Sequence, residues 1–459
     1  MTTHFARRGL LAAAAALLLA GCASSPAGDS HPPIVFVHGN GDTAALWHTT
    51  LWRFESNGWP AERLHAIDLP YPLARDADDK PQDGRTSTMQ HMQYLSAQVD
   101  EVLRRTGQAR VVLMGNSRGG NAIRNYIANG GGAAKVSHAI LGGVPNHGVW
   151  AHSAFLPNSE FNGTGPFLRA MNNQGGQGGE ITPGVRWLTI RSDNFDKFAQ
   201  PDGVWIGQKG APTNVSFDGP ELKGAENVII AGIDHRETSF SAKAFAAAHR
   251  FITGRESGAL AVRTEPRISL SGKVSGTGLD NGAGTGNFAN NLALAGAEVE
   301  VYAVDATTGE RQGATLHRQT VGEDGLWGPL ITTSNTALEF QVRAADFAVT
   351  HIYRSPFARS SSLVHLRAQR APPTDRDAGA IVTLTRPRGY FGVPRDRIVL
   401  DGKSPPAGIP TGVPGVSVAQ VRLPAVPPRT VSGEFNDERI VGRTWPASAN
   451  HVVLLELHD

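Results

Sequence analysis

Apolar residues in the first half of the chain are grouped in short continuous runs separated by polar stretches. A run of roughly four to eight apolar residues without alternation is typical of a strand buried on both faces of a sheet. Strands built on such runs are predicted at residues 34–37, 64–67, 110–114, 136–141, 185–190 and 228–233. Between several of them apolar residues recur at helical spacing, as at Met92, Leu95 and Val99 before Gly107. Strands that alternate with helices predict an α/β domain with a mostly parallel sheet.

The pattern changes near residue 263, where apolar and polar residues begin to alternate with a period of two. Alternation with turn glycines, as in "AEVEVYAVDATTGER", is typical of an all-β sandwich or barrel. We therefore expect an α/β domain over residues 33–262 and two β units over 263–357 and 358–459. Residues 145–180 show no clear period, and an irregular segment of that length inside a domain is usually either a functional lid or a disordered loop. We expect a lid-like insertion.

The first residues combine a short basic region with an apolar segment. Arg7 and Arg8 precede a run of leucine and alanine over 9–20 that is too short to cross a bilayer. This pattern predicts a signal peptide over 1–21 and a tether over 22–32. The ending "LAGC" resembles the bacterial lipoprotein signal, and the resemblance implies that Cys22, the single cysteine, is lipidated. Ala23 then implies an exported protein anchored in the outer membrane, facing the periplasm or the cell surface.

Charge and cysteine content exclude several function classes. The formal net charge is +2, and the two surplus charges are Arg7 and Arg8, so the rest of the chain is formally neutral. A neutral chain without a second basic block is not expected to bind nucleic acid. With Cys22 acylated, no thiol is left for a disulfide, for catalysis or for a metal. Because no phosphate-binding loop or metal-ligand cluster stands out, we expect neither a cofactor nor a metal site.

The stretch "ARVVLMGNSRGGNAIRNYIANG" carries the strongest chemical signal. Residues 115–119 fit the pattern G-x-S-x-G, with Ser117 at its centre. An apolar run leads into the pattern and a predicted helix over 121–128 leads out of it. This strand–turn–helix setting is that of a nucleophile elbow, in which a sharp turn exposes the serine oxygen above the sheet. We therefore predict that Ser117 is a catalytic nucleophile.

A serine nucleophile needs a base, and the base needs an acid that orients it. In hydrolases with such an elbow the chain order is serine, acid, histidine. His235 is the expected base, because it directly follows an apolar run and precedes the predicted helix over 242–251. The acid is open, since Asp193, Asp196 and Asp202 all follow one strand. We favour Asp202 over Asp193 because an Asp-Gly bend suits an acid held in a turn.

Acyl transfer also requires N–H donors aimed at the oxygen that becomes negatively charged. The backbone N–H of Arg118, the residue after the nucleophile, is one expected donor. The second is expected from "VHGNGD" after the first strand, with Asn40 as the donor.

These segments resemble the α/β-hydrolase superfamily, in particular bacterial lipases and carboxylesterases, and most of all archaeal lipases with a C-terminal β-rich lipid-binding domain. The resemblance rests on "VHGNG", "GNSRG", "DGVW" and "DHRET", and it continues through "YRSPF" and "GEFND" in the β region. It implies a triad of Ser117, His235 and Asp202. Two features depart from the family. The insertion is longer than the resemblance to such a lipase would suggest at this position, and Asn116 stands where lipases commonly carry histidine.

The expected activity is cleavage of carboxylic esters through an acyl-enzyme, by a secreted, lipid-anchored lipase or carboxylesterase. The expected partners are an ester or lipid substrate and a membrane that holds the N-terminal anchor. A polyester depolymerase is an alternative of the same chemistry, and a catalytically silent hydrolase-fold binding protein is an alternative of another class. The β region is expected to be either a surface for lipid or polymer or a stabilising spacer.

Overall fold

The structure is a computed structural model that describes residues 31–174, 178–278, 290–371, 373–375, 377–424 and 427–458. The predicted signal peptide and Cys22 lie outside the described residues. The helices are α1 His48–Ser56, α2 Thr88–Thr106, α3 Arg118–Asn129, α4 Pro166–Met171, α5 Glu237–Phe240 and α6 Ala242–Thr253. The strands up to residue 230 are β1 Ile34–Val37, β2 Leu64–Ile67, β3 Leu73–Ala74, β4 Arg85–Thr86, β5 Val111–Asn116, β6 Val136–Gly142, β7 Arg186–Ser192 and β8 Glu226–Ile230.

The later strands are β9 Arg267–Gly276, β10 Glu298–Val304, β11 Arg311–Thr320, β12 Leu326–Thr333, β13 Ala337–Arg343, β14 Val349–Arg354, β15 Leu366–Ala368, β16 Ala380–Thr385, β17 Ile398–Leu400, β18 Val418–Leu423, β19 Thr430–Phe435, β20 Glu438–Arg443 and β21 His451–Glu456.

Six strands form a parallel sheet in the order β2-β1-β5-β6-β7-β8. Each apolar run of the sequence corresponds to one of these strands. The last strand ends earlier than predicted, at Ile230, because the chain turns through Gly232, which has a φ of 80°. The predicted fold class, an α/β domain with a mostly parallel sheet followed by a β region, is confirmed.

Helices cover both faces of this sheet, so its central strands β1 and β5 are buried on both sides. Val35 and Leu113 pack into a core with residues of α2 and α3. Their neighbours Phe36 and Met114 point to the opposite face and pack with residues of α1 and α6. Because adjacent residues of a strand point to opposite faces, both must be apolar, which explains the continuous apolar runs.

Helix α3 begins at Arg118, directly after the predicted nucleophile and earlier than the sequence predicted. Glycine lowers helix propensity, so the sequence pattern placed Gly119 and Gly120 outside the helix. In the structure both belong to its first turn. A Cβ atom on Gly119 would lie 2.4 Å from the carbonyl oxygen of Val37, and one on Gly120 would lie 2.0 Å from a methyl group of Val144. The helix therefore packs on the sheet at a distance that only glycine permits.

The β region is built around one seven-stranded sheet, which contains strands of both predicted β units. Its order is β11-β10-β13-β14-β21-β16-β18, and β14 pairs in parallel with β21. Val452 and Leu454 of β21 pack on one face, in the core that contains β9 and β12. Val453 and Leu455 pack on the other face, with β17 and β19. The central sheet is thus covered on both faces by smaller sheets.

The α/β domain and the β region are packed together, and residues from His31 onward form one unit. Trp52 of α1 belongs to a core of the β region, and its indole N–H donates to the carbonyl oxygen of Ser360 at 2.9 Å. None of the helices in the described ranges has the length and apolar character needed to cross a membrane.

Candidate active site

Ser117 occupies a strained turn between β5 and α3. Its φ of 49° and ψ of −123° lie in a region that non-glycine residues rarely adopt. The turn is held by hydrogen bonds from Ser117 N to the carbonyl oxygen of Gly142 and from Gly120 N to that of Ser117, both at 2.9 Å. A sharp strained turn of this kind lifts the serine side chain out of the strand direction. The elbow expected from "GNSRG" therefore exists in the fold.

His235 lies in the loop between β8 and α5 and is nearly fully buried. Its Nδ1 is 2.9 Å from each carboxylate oxygen of Asp196. A proton on Nδ1 that is donated to Asp196 leaves the lone pair of the ring on Nε2. Among the described residues Nε2 has no hydrogen-bond partner. The ring of Phe198 packs edge-on against the imidazole, with 4.7 Å between the ring centroids. His235 is thus oriented and has a free basic nitrogen.

The acid that contacts His235 is Asp196, so the sequence-based preference for Asp202 is wrong in this structure. Asp202 is exposed, and its carboxylate accepts a local hydrogen bond from Val204 N at 3.1 Å. The Asp-Gly bend does hold Asp202 in a turn, but that turn lies further along the loop. Asp196 comes earlier, in "SDNFDKF", where the loop has just left β7. The sequence presented it among three acids but offered no signal that separated it from the other two.

Asp193, the alternative acid, connects the two loops instead of contacting the histidine. One of its carboxylate oxygens accepts from Phe195 N at 3.2 Å and the other from Gly232 N at 3.0 Å. Phe195 belongs to the loop that carries Asp196, and Gly232 to the loop that carries His235. Asp193 therefore helps to fix the distance between the acid and the base.

The segment proposed to hold the oxyanion packs against the elbow. A Cβ atom on Gly39 would lie 3.1 Å from the Cβ of Ser117, so the loop after β1 approaches the serine closely. Asn40 uses its side-chain oxygen to accept from Ala74 N at 2.7 Å, which fixes this loop. Arg118 is the first residue of α3, and the first N–H groups of a helix have no partner within the helix. The backbone N–H group of Asn40 thus belongs to a loop beside Ser117, and that of Arg118 belongs to the start of the helix after Ser117.

The side chain of Arg118 has a separate role, because it is fully buried and holds other segments. Its guanidinium group pairs with the buried carboxylate of Glu160 in the insertion. It also donates to the carbonyl oxygens of Pro72 and Thr86, at 2.9 and 2.7 Å. Burial raises the pKa of Glu160 above its usual value, while the charge of Arg118 acts in the opposite direction. The residue after the nucleophile therefore ties the insertion to the elbow.

Asn116, which stands where lipases commonly carry histidine, connects the elbow to the histidine loop. Its side-chain amide donates to the Oγ atom of Ser239 at 2.8 Å and to the carbonyl oxygen of Gly142 at 3.2 Å. Ser239 lies in α5, which directly follows the loop of His235. Asn116 therefore contributes to the position of the base as well as of the nucleophile.

Ser117 and His235 line the same cavity, which has a volume of about 230 Å³. Asn40 also lines it, and much of the remaining wall is apolar or aromatic. The insertion supplies part of this wall, through Val149, Trp150, Phe155, Leu156 and Phe161. A concave apolar site with a few convergent polar groups is the usual form of a small-molecule site. Within the described ranges, no cluster of three or more His, Cys, Asp or Glu side chains could hold a metal ion.

Two family models match the chain. The model of class 2 lipases matches residues 31–153, which include the elbow, and the model of the lipase C-terminal domain matches residues 266–371. Both matched segments are thus similar to domains of lipases. Together with the hydrolase-type sheet and elbow, the matches support an ester hydrolase of the α/β-hydrolase class.

Other similarities to known proteins are distant. A non-heme haloperoxidase of Rhodococcus erythropolis is 27% identical over 116 residues, which are 25% of this chain and 37% of that protein. The chain therefore spans well under half of the length of this relative. A solved lipase B of Aspergillus fumigatus has 17% identity and a TM-score of 0.36, over 50% of this chain and 54% of its own. The propeptide form of the lipase BlEst2 of Bacillus licheniformis has 14% identity and a TM-score of 0.37, over 90% and 92%.

Proposed function

We propose that the protein is a serine ester hydrolase of the lipase or carboxylesterase type, with Ser117, His235 and Asp196 as its triad. The observation that carries the proposal is the shared cavity: Ser117 and His235 both line it, and Asp196 holds the far side of the histidine ring. The free Nε2 atom of His235 is the nitrogen that a general base requires.

The reaction follows from these positions. Nε2 of His235 takes the proton of the Ser117 hydroxyl while the serine oxygen attacks the ester carbonyl carbon. The backbone N–H groups of Arg118 and Asn40 stabilise the negative charge on the carbonyl oxygen. When the tetrahedral intermediate collapses, His235 returns the proton to the leaving alcohol, and the acyl group stays on Ser117. A water molecule that His235 deprotonates then attacks the acyl-enzyme and releases the carboxylic acid.

The aromatic residues of the insertion support an apolar acyl group as the part of the substrate in the cavity. Trp150 is buried, and its indole N–H donates to the carbonyl oxygen of Phe155 at 3.0 Å. The two rings pack edge-on with 5.2 Å between their centroids. We further propose, from the N-terminal pattern alone, that the enzyme is exported and anchored to the outer membrane through lipidated Cys22.

The activity is tested with a fluorophosphonate probe, which labels an activated serine covalently. We expect the wild-type protein and a Ser153→Ala control to be labelled and to hydrolyse synthetic esters, because Ser153 is exposed on the insertion. Ser117→Ala should lose both properties while it stays folded. An unlabelled wild-type protein would instead favour the silent binding protein. The hydrolysis rates of esters with different acyl chain lengths, measured on emulsified and on dissolved substrate, distinguish a lipase from a carboxylesterase. A short-chain optimum without activity on emulsions would reject the lipase assignment.

The anchor is tested separately by growth with labelled palmitate. We expect the label in the wild-type protein of the membrane fraction, and not in Cys22→Ser. Release of both proteins in soluble form without label would reject the anchor and leave the hydrolase proposal unaffected.

A further inference from the structure

The second β unit, residues 358–459, contacts both residues that flank His235. Arg236 donates a guanidinium N–H to the carbonyl oxygen of Pro387 at 3.1 Å. Asp234 is completely buried and pairs with Arg386 at 2.8 Å. The histidine thus projects into the cavity from a backbone segment whose neighbours on both sides are bound to the β unit.

Asp234 joins the β unit to the backbone of the histidine loop. One carboxylate oxygen accepts from Arg236 N at 2.8 Å and from Glu237 N at 3.0 Å, just after the histidine. The other accepts from Arg386 Nη1 at 2.8 Å and from Tyr390 N at 2.7 Å, both in the β unit. A displacement of Arg386 would therefore be transmitted through one rigid carboxylate to the backbone that follows His235.

The charges in this contact are buried and balanced. Arg386 also pairs with Glu237 at 2.6 Å, and Arg395 pairs with Glu237 at 2.8 Å. Burial alone would raise the pKa of Asp234, but the charges of Arg386 and Arg395 hold it below its usual value. Asp234 is therefore ionised, and removal of its arginine partner would leave an uncompensated buried charge.

The loop that carries the acid is bound to the same unit. Lys197, next to Asp196, donates to the carbonyl oxygen of Gly415 at 2.8 Å. Its ammonium nitrogen lies 3.6 Å from the centre of the Tyr390 ring. Trp205 packs directly on Gly415, where a Cβ atom would lie only 1.7 Å from the indole ring. Tyr390 and Trp205 also line the cavity that contains Ser117.

We propose that the second β unit is an integral part of the active site and that Arg386 is a positioning residue, which holds His235 in line with Ser117 through Asp234. This inference rests on the proposed function. A displacement of a catalytic group by about 1 Å can lower a rate by roughly 10²-fold. Since Arg386 does not itself line the cavity, its loss should affect the chemical step and not the binding of substrate.

The test compares Arg386→Met with the control Arg397→Met. Arg397 belongs to the same unit and pairs with Glu434 at 2.6 Å, but its side chain is exposed. We expect kcat of Arg386→Met to fall by about 10²-fold with little change in KM. We expect Arg386→Lys to recover part of the rate, because it keeps the charge but not the two-pronged contact. Arg397→Met should match the wild type in both constants.

All rates are divided by the folded fraction, measured by near-UV circular dichroism, so that a merely structural role is separated from positioning. If Arg386→Met does not fold, Asp234→Asn decides, because it keeps the shape of the side chain and removes the charge that Arg386 binds. A folded Arg386→Met, or a folded Asp234→Asn, with wild-type kcat overturns the inference. A wild-type protein without ester hydrolysis overturns the proposed function itself, which is a distinct result.

Discussion

The identity of the triad acid is the prediction that tests the site most directly. Asp196→Asn replaces an acceptor with a side chain that presents either an oxygen or an NH₂ group to Nδ1 of His235. Both carboxylate oxygens of Asp196 lie 2.9 Å from Nδ1, so the substitution affects the strongest contact of the ring. Where the NH₂ group faces Nδ1, the proton of the ring moves to Nε2, which can then no longer accept the proton of Ser117.

The magnitude follows from the role of the acid in orienting the histidine. Conversion of a triad aspartate to asparagine lowers kcat by about 10⁴-fold, which corresponds to about 5 kcal/mol of transition-state stabilisation. Asp202→Asn is the matched control, because Asp202 follows the same strand but is exposed, and its carboxylate accepts from the nearby Val204 N. We expect it to keep wild-type kcat within about twofold.

The assay is steady-state hydrolysis of a chromogenic short-chain ester, with the rate of fluorophosphonate labelling as a second readout. Near-UV circular dichroism verifies that both variants are folded. An Asp196→Asn variant that keeps more than about a tenth of the wild-type kcat would show that Asp196 is not the triad acid. The same holds if Asp202→Asn is the more damaged of the two variants.

Three further predictions concern stability. Glu160→Ala should lower the free energy of unfolding by about 3–5 kcal/mol in urea titrations, because it leaves Arg118 charged and buried without its partner; a loss below about 1 kcal/mol would contradict this. Gly119→Ala should destabilise the protein by about 1–3 kcal/mol or more, because its Cβ would lie 2.4 Å from the carbonyl oxygen of Val37 in the sheet. Gly322→Ala should not, because the nearest atom to its Cβ lies at 3.5 Å, and equal melting temperatures of the two variants would contradict the expectation. Burial, together with the charge of Arg236, lowers the pKa of Lys197 from 10.5 to about 7. Between pH 7 and pH 10.5 the unfolded chain therefore binds more protons than the folded chain, so the free energy of unfolding should rise with pH over this range. Lys197→Met should reduce that rise, and an unchanged slope in unfolding measured at pH 7 and about pH 9 would show that the lysine is not the cause.

Much of the α/β domain was determined by local sequence. Continuous apolar runs predicted the strands of the parallel sheet, because a strand covered on both faces has no polar side. The elbow at Ser117 was equally local, since its strand, turn and helix are consecutive in the chain. His235 followed from chain order and from its position after an apolar run.

Only the tertiary structure decided which acid meets the histidine and what the β region contributes to the site. Asp196 and Asp202 lie in one loop, and its path through space, not its composition, brings Asp196 to the imidazole. Likewise, nothing near Arg386 in the sequence indicates that it binds Asp234, which lies 152 positions earlier. The physical reason is the same in both cases. A strand or turn follows from interactions between neighbours along the chain, whereas a contact between two loops depends on the packing of every element that carries them.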